Sequence, residues 1–330
     1  TKNGALICSI IPYGNVRIVL ISEALLNRSA LVVGYGSIGQ RHMRRLAALG
    51  CDVGVCSRRE VDVQPLFSTL TQALAEFAPD YVVLASQTHE HAGNLQDLAS
   101  AGFTGSVLVE KPLFDHLNPL PDHQFAALNV AYNLRLHPLI ARLREALAGQ
   151  KICSFQVYVG QYLPTWRPGT DYRQSYSASG SQGGGVLRDL SHDLDYTIWL
   201  LGGWRHLTAQ GGRVSDLEIT SDDCFMVMMD TPRCPLVSLQ LNYLDRVSRR
   251  EILVNTKHHT IRVDLVAGSF AIDTEIEMIS TQRDVTYDAM HTEMLSGNAK
   301  MCATAREGLD VMDLIAAIET ASETRTWVSH

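Results

Sequence analysis

No apolar stretch in the 330-residue sequence reaches the roughly 18 residues that a helix needs to cross a bilayer, so no membrane span is expected. There is no C-x-x-C pair. The seven cysteines (Cys8, Cys51, Cys56, Cys153, Cys224, Cys234 and Cys302) are odd in number and scattered, which argues against a disulfide framework or a zinc site. Small thiols in a reducing cytoplasm are expected instead. His89/His91 and His258/His259 are the only close histidine pairs, no carboxylate or cysteine set completes them, and no metal is expected. Basic residues are the minority, 28 against 35 acidic, for a net charge of −7. Such a surface repels a phosphate backbone, so nucleic acid is not an expected partner. Internal repeats and low-complexity tracts are also missing.

What remains is ordinary globular composition, 46% hydrophobic and 19% charged. The length calls for about two domains. Residues 1–28 are apolar-rich but interrupted by Pro12, Gly14, Arg17 and Glu23. Lys2 is not followed by the unbroken apolar core of a signal peptide. This stretch reads as an N-terminal extension that packs on the body.

From Ala30 onward, short apolar runs alternate with helical patterns. Strands are expected at Ala30–Val33, Asp52–Cys56, Tyr81–Ala85, Ser106–Val109 and near Asn129–Tyr132, with helices at Gln40–Leu49, Phe67–Phe77 and His91–Ala101. That alternation predicts a parallel α/β sheet over residues 29–133. The character then changes. After a helix at Pro138–Ala148 and a strand at Cys153–Gly160, a long Pro-, Gly-, Ser- and Tyr-rich loop runs over 163–185. An amphipathic helix is expected at Gly185–Leu201, a mostly antiparallel sheet over 207–279, and a closing helix at Arg306–Ser322. Residues 134–330 thus read as a second, α+β domain for substrate binding and oligomerisation.

Gly34-Tyr35-Gly36-Ser37-Ile38-Gly39 follows the first strand and opens a helix, which is the context a dinucleotide-binding glycine loop requires. Gly34 allows the tight turn, Gly36 lets backbone approach a pyrophosphate, and Gly39 lets the helix pack closely, with the helix N-terminus facing the phosphates. An acidic residue at the end of the second strand would favour NAD. Ser57, Arg58 and Arg59 stand there, and a hydroxyl with two guanidinium groups suits a 2′-phosphate. NADP is the expected cofactor and NAD the alternative.

Several segments together resemble the Gfo/Idh/MocA oxidoreductases. They are Val32–His42 around the glycine loop, Pro79-Asp80 with Val82–Ala85 and Thr88–His91, Glu110-Lys111-Pro112, Gly183-Gly184-Gly185 through His192–Asp195, and Glu307-Gly308-Leu309 with the closing helix. The resemblance covers residues 29–330. It implies a Rossmann domain followed by an α/β domain whose open, mostly antiparallel sheet buries its free face in a homodimer or homotetramer. It also implies reversible hydride transfer between nicotinamide and a hydroxyl carbon of a sugar, cyclitol or sugar derivative. By the same resemblance Ser86, Thr88, His91, Glu110 and Lys111 border the cofactor, and the Lys111–Pro112 bond is cis. The series Tyr162-Leu163-Pro164-x-Trp166-Arg167-Pro168, Asp171-Tyr172-Arg173 and Tyr176-Ser177-Ala178 resembles a subgroup found with surface-glycan sugar pathways.

Hydride removal from an alcohol needs a base for the hydroxyl proton. Lys111, at the end of a parallel strand, is expected to contact the reacting hydroxyl and stabilise a developing alkoxide. His192 is the expected general acid/base. Many relatives carry an Asp four residues before that histidine. Here Asp189 precedes it by three and Arg188 by four, which on a regular helix rotates the carboxylate by about 100°. Asp189 remains a catalytic candidate, and Asp193 could substitute for it where the helix is locally irregular. Asn133, Arg135, Trp166, Arg167, Tyr172 and Arg173 are the expected substrate contacts, aromatic faces for sugar C–H surfaces and arginines for an anionic substrate. Two other classes fit the same residues: a non-redox enzyme that holds NAD tightly to cleave glycosides, and a non-catalytic cofactor-binding regulator.

Overall fold

The protein is described by a computed structural model, which covers residues 6–8, 18–20 and 28–330. The expected packing of residues 1–28 on the body lies outside the described residues, apart from two short strands, Leu6–Cys8 and Ile18–Leu20, that pair antiparallel. The chain forms two compact units. One comprises residues up to Glu110 with Pro119–Pro138 and Gln282–Thr304. The other comprises Lys111–Asn118, Leu139–Thr281 and Ala305–His330.

The first unit holds a seven-stranded sheet in the order Ala303–Thr304, Ala127–Val130, Ser106–Val109, Tyr81–Leu84, Ser29–Val33, Asp52–Cys56 and Leu66–Phe67. All neighbours are parallel except the edge strand Ala303–Thr304, which runs antiparallel to Ala127–Val130. Leu31, Val32, Val82, Val83, Leu84, Val107, Leu108 and Val109 are fully buried. A parallel strand covered on both faces needs apolar side chains at every position, which is why these runs are continuous rather than alternating. Helices Ser37–Ala48, Leu70–Phe77, His91–Ser100 and Val285–Ser296 belong to this unit.

Two local expectations change here. The segment Phe67–Phe77 is not one helix: Leu66–Phe67 pairs with Val55–Cys56, and the helix starts at Leu70 because the Thr69 hydroxyl accepts the N–H of Gln72 at 3.2 Å. Residues 282–304, which the sequence division at 133/134 assigns to the second domain, pack in the first unit and supply a helix and an edge strand. Arg41 and Arg45 fasten that helix through ion pairs to Asp284 and Asp288, both at 2.6 Å.

The second unit is built on a nine-stranded sheet in the order Glu275–Met278, Ser269–Ile272, Thr260–Asp264, Arg249–Thr256, Ile152–Gly160, Val237–Asn242, Cys224–Asp230, His206–Gly212 and Val328–Ser329. Only Ile152–Gly160 and Val237–Asn242 pair in parallel; the rest are antiparallel. The strands alternate. In Cys224–Asp230, Phe225, Val227 and Met229 are buried while Met226 and Met228 are 59% and 48% exposed. One face therefore carries the core and the other is open. Helix Ala305–Thr324 packs on the strand His206–Gly212 and on helix Ser191–Leu201.

The expected continuous, amphipathic helix over 185–201 is absent. One helical turn, Val186–Asp189, ends at Leu190, whose φ of −97° and ψ of 20° leave helical geometry, and a second helix runs Ser191–Leu201. The short turn is docked on Asp222, whose carbonyl and carboxylate accept the N–H groups of Val186 and Leu187, both at 3.1 Å. The longer helix is buried nearly all round, polar positions Asp193, Asp195 and Thr197 included. Among the described residues no helix is long and apolar enough to cross a membrane.

Candidate active site

In the first unit the glycine loop has the geometry its sequence implies. Gly34 adopts φ +93° and donates its N–H to Cys56 at 2.9 Å. A Cβ there would sit 2.6 Å from the Ala85 carbonyl oxygen, and a Cβ on Gly39 only 2.0 Å from that of Gly34. Gly36, the N-cap of helix Ser37–Ala48, is different: nothing lies within 4 Å of the place its Cβ would occupy, and no side chain caps the helix. Open space over a helix N-terminus, bounded by backbone drawn close, fits a dinucleotide pyrophosphate. Gly34, Gly36, Ser37, Ile38 and Gly39 would hold it.

Beyond the second strand, the Ser57 hydroxyl accepts the N–H of Arg59 at 3.1 Å, and the 81%-exposed Arg58 pairs with Glu90. Thr88 opens a short 3-10 turn to Glu90. The segment before it is held by buried His91, whose Nε2 lies 3.3 Å from the Ser86 carbonyl, and by Asn94, which donates to the Ser86 hydroxyl at 2.8 Å. Glu110 continues the sheet through its N–H to the Leu84 carbonyl, and its carboxylate lies 2.8 Å from Nε2 of His42.

In the second unit the Lys111–Pro112 peptide is cis. Nζ of Lys111 donates to the Asp189 carbonyl at 2.7 Å and lies 3.5 Å from that of Arg188. The buried Asp189 carboxylate is gripped by two phenols, Tyr176 on Oδ1 at 2.6 Å and Tyr243 on Oδ2 at 2.7 Å. Burial and that carboxylate push both tyrosine hydroxyls well above their usual range, so each stays a donor. The spacing of three therefore does not turn Asp189 away from this cluster, because the break at Leu190 separates its turn from the helix of His192. Arg188 is the residue that points elsewhere, donating to the Asp115 carbonyl at 2.9 Å and pairing with Glu319 at 2.6 Å.

Burial, then the charges of Lys111 and Arg250, hold the His192 imidazole well below its ordinary 6.5, so the ring is neutral at physiological pH. Asp193 is a wholly buried partner of Arg250 at 3.0 Å and accepts the Tyr196 hydroxyl at 2.6 Å. It braces the helix.

Of the expected substrate contacts, Trp166 and Arg167 join this cluster. The Trp166 ring meets Tyr243 edge-on with centroids 5.7 Å apart, and the Arg167 guanidinium lies over Trp166 and Tyr176 while donating to Ser177 at 3.2 Å. The other two arginines are engaged or buried. Arg173 is held by Asp171 and Glu218 at 2.9 and 3.2 Å, and Arg135, in the first unit, is 2% exposed, too deeply buried to meet an anion arriving from solvent. Tyr172 accepts the N–H of Glu218 at 3.3 Å, and buried Asn133 donates to Thr286 at 2.9 Å. Tyr243 and Arg250 escaped the sequence reading, since a strand-end tyrosine and one arginine among several carry no motif.

Known proteins match this architecture. A family model described as "Oxidoreductase family, NAD-binding Rossmann fold" matches residues 28–128, and one described as "GFO/IDH/MocA C-terminal domain" matches residues 140–265. No curated protein matches the chain by sequence. Among solved structures, GenD2 from gentamicin A biosynthesis, in complex with NAD, is 20% identical, with a TM-score of 0.76 over 98% of this chain and 99% of its own. The WlbA dehydrogenase from Bordetella pertussis, in complex with NADH and UDP-GlcNAcA, is 19% identical, with a TM-score of 0.75 over 92% and 98%. Levoglucosan dehydrogenase, in complex with NADH, is 16% identical, with a TM-score of 0.78 over 92% and 99%. With the glycine loop, the Glu110-Lys111-Pro112 strand end and both family models in register along one sequence, the chain belongs to the Gfo/Idh/MocA family of oxidoreductases, with an NAD-binding Rossmann unit.

Proposed function

We propose that the protein is an NAD(P)-dependent dehydrogenase acting on a hydroxyl-bearing carbon of a sugar, cyclitol or sugar derivative. The observation that carries this reading is the Lys111–Asp189–His192 group, in which an ammonium is anchored on a backbone carbonyl and burial, reinforced by the Lys111 charge, keeps the imidazole neutral. A bound nicotinamide supplies the hydride acceptor or donor. The protein's own groups handle the proton and the oxygen. A neutral ring nitrogen of His192 takes the hydroxyl proton as the alcohol becomes a carbonyl, and returns it in the reverse direction. The Lys111 ammonium stabilises charge developing on that oxygen. Asp189, fixed by Tyr176 and Tyr243, holds the carbonyl that anchors Lys111. The rings of Trp166 and Tyr176 offer flat apolar surface to sugar C–H groups. Levoglucosan dehydrogenase and the UDP-GlcNAcA-bound dehydrogenase among the structural neighbours support a carbohydrate substrate.

Ser57, Arg58 and Arg59 support acceptance of NADP as well as NAD, with Arg58 released from Glu90 to meet the 2′-phosphate. The open face of the nine-stranded sheet, with Met226, Met228, Ile276 and Met278 exposed, supports a homo-oligomer closed over that face. Buried free thiols at Cys51, Cys56, Cys234 and Cys302 support a cytoplasmic setting.

The test is a fluorescence titration with NADPH and NADH, followed by absorbance assays on a panel of sugars, sugar acids and nucleotide sugars. Cofactor binding with turnover, lowered about 100- to 10,000-fold in His192→Ala, is the expected result. Binding with glycoside cleavage and no net cofactor reduction replaces this reading with a non-redox enzyme. The absence of any cofactor binding overturns it.

A further inference from the structure

Four polar side chains lie end to end inside the first unit, well away in sequence from one another. Nε2 of His42 is 2.8 Å from Oε1 of Glu110, Nδ1 of His42 is 2.9 Å from Nε2 of His291, and Nδ1 of His291 is 3.1 Å from the Tyr81 hydroxyl. Both imidazoles are completely buried, and Tyr81 is 2% exposed. Buried polar atoms need partners. Four side chains that each satisfy the next form a connected network rather than four separate liabilities.

We propose that His42 and His291 are positioning residues for the reaction, forming with Tyr81 a one-way hydrogen-bond chain that fixes the Glu110 carboxylate at the strand end beside Lys111. This inference rests on the dehydrogenase reading for its kinetic consequence but not for the chain itself.

Proton counting gives the chain its direction. An ionised Glu110 only accepts, so His42 must carry a proton on Nε2. If that is the ring's one proton, its Nδ1 is an acceptor and Nε2 of His291 donates to it. Nδ1 of His291 then accepts, and the Tyr81 hydroxyl donates. Burial above all keeps His291 neutral, and burial keeps Tyr81 protonated, so each has the single proton this pattern requires. Every link points toward Glu110. Glu110 is thereby held from two sides, by its N–H on the Leu84 carbonyl and by His42 on its side chain. The residue after it is Lys111, so a fixed Glu110 fixes the point from which the lysine leaves the sheet. His291, 249 residues beyond His42, reaches the strand end through His42.

The chain is tested first without substrate. Imidazole 15N–1H correlation spectra of the unliganded protein near neutral pH should show His42 and His291 both neutral with the proton on Nε2. A proton on Nδ1 of His291 overturns the proposal. Kinetics then test the positioning role. In His291→Phe, which keeps a buried ring and removes both nitrogens, kcat should fall at least about tenfold while the KM for the nicotinamide cofactor stays within about twofold. Tyr81→Phe, which removes only the far link, should fall less. A His291→Phe variant of reduced melting temperature but unchanged kcat overturns the role, because the ring would then serve stability alone. If the wild-type protein oxidises no carbohydrate, the dehydrogenase reading fails, and the wild-type tautomers still decide whether the chain exists.

Discussion

Nζ of Lys111 bonds the backbone carbonyl of Asp189, not its carboxylate. The carboxylate is held by Tyr176 and Tyr243, so the lysine and the aspartate are coupled through main chain. The bond that anchors Lys111 therefore does not use the Asp189 carboxylate, whose own position depends on two neutral donors.

This separation predicts how Asp189→Ala behaves. Two buried phenols lose their acceptor, which should cost about 2–4 kcal/mol of stability in denaturant unfolding. The Lys111 contact, being to backbone, should survive, and an unchanged Lys111 position in a crystal structure of the variant would confirm it.

The neutral state of His192 has a pH consequence. Its folded pKa lies below the 6.5 of the unfolded chain, so between those two values the unfolded state binds the extra proton. Stability from this group is complete above about pH 6.5 and declines as pH falls toward the folded value. The base form persists over the same window, and the acid limb of kcat/KM should lie well below 6.5. Removing the Lys111 charge by Lys111→Met should move the His192 midpoint upward in an NMR titration, a readout that does not depend on turnover.

Gly36 and Gly39 should separate binding from folding. Gly36 has an ordinary φ of −72° and open space at its Cβ position, so Gly36→Ala should keep its stability within about 0.5 kcal/mol and weaken cofactor binding by filling the pyrophosphate approach. Gly39→Ala would drive a methyl into the Gly34 carbonyl and should lose about 3 kcal/mol or more. Thermal melts with and without NADH distinguish the two.

The Arg58–Glu90 pair bears on cofactor choice. Replacing both arginines, Arg58→Ala with Arg59→Ala, should weaken NADPH about 10- to 100-fold and leave NADH within about threefold. Glu90→Gln, which frees Arg58, should shift preference toward NADPH. Equal effects on both cofactors would remove the 2′-phosphate assignment.

The Rossmann sheet was legible because its strands, covered on both faces, are uninterrupted apolar runs, and because each glycine of the loop answers to a specific close approach. The helix Val285–Ser296 was not legible. Its buried side includes Thr286 and His291 beside Tyr287, Met290, Met294 and Leu295, so the apolar contrast that marks an amphipathic helix is blurred. The break at Leu190 was hidden for the opposite reason: a segment buried nearly all round gives no stripe from which to measure rotation. Lys111, His192 and Asp189 could be chosen by residue type and motif. Tyr243, Arg250 and His291 act through contacts made across long sequence separations, which no local pattern encodes, and the burial of Arg135 reverses the usual expectation that an arginine near a site faces solvent.

The return of residues 282–304 to the first unit sets a condition on synthesis. Until those residues leave the ribosome, strand Ala127–Val130 lacks its edge partner, and Nδ1 of His42 and the Tyr81 hydroxyl lack His291. The nucleotide-binding unit cannot complete its core while residues up to Pro138 are being translated, and must wait, partly open, until residues 282–304 are made.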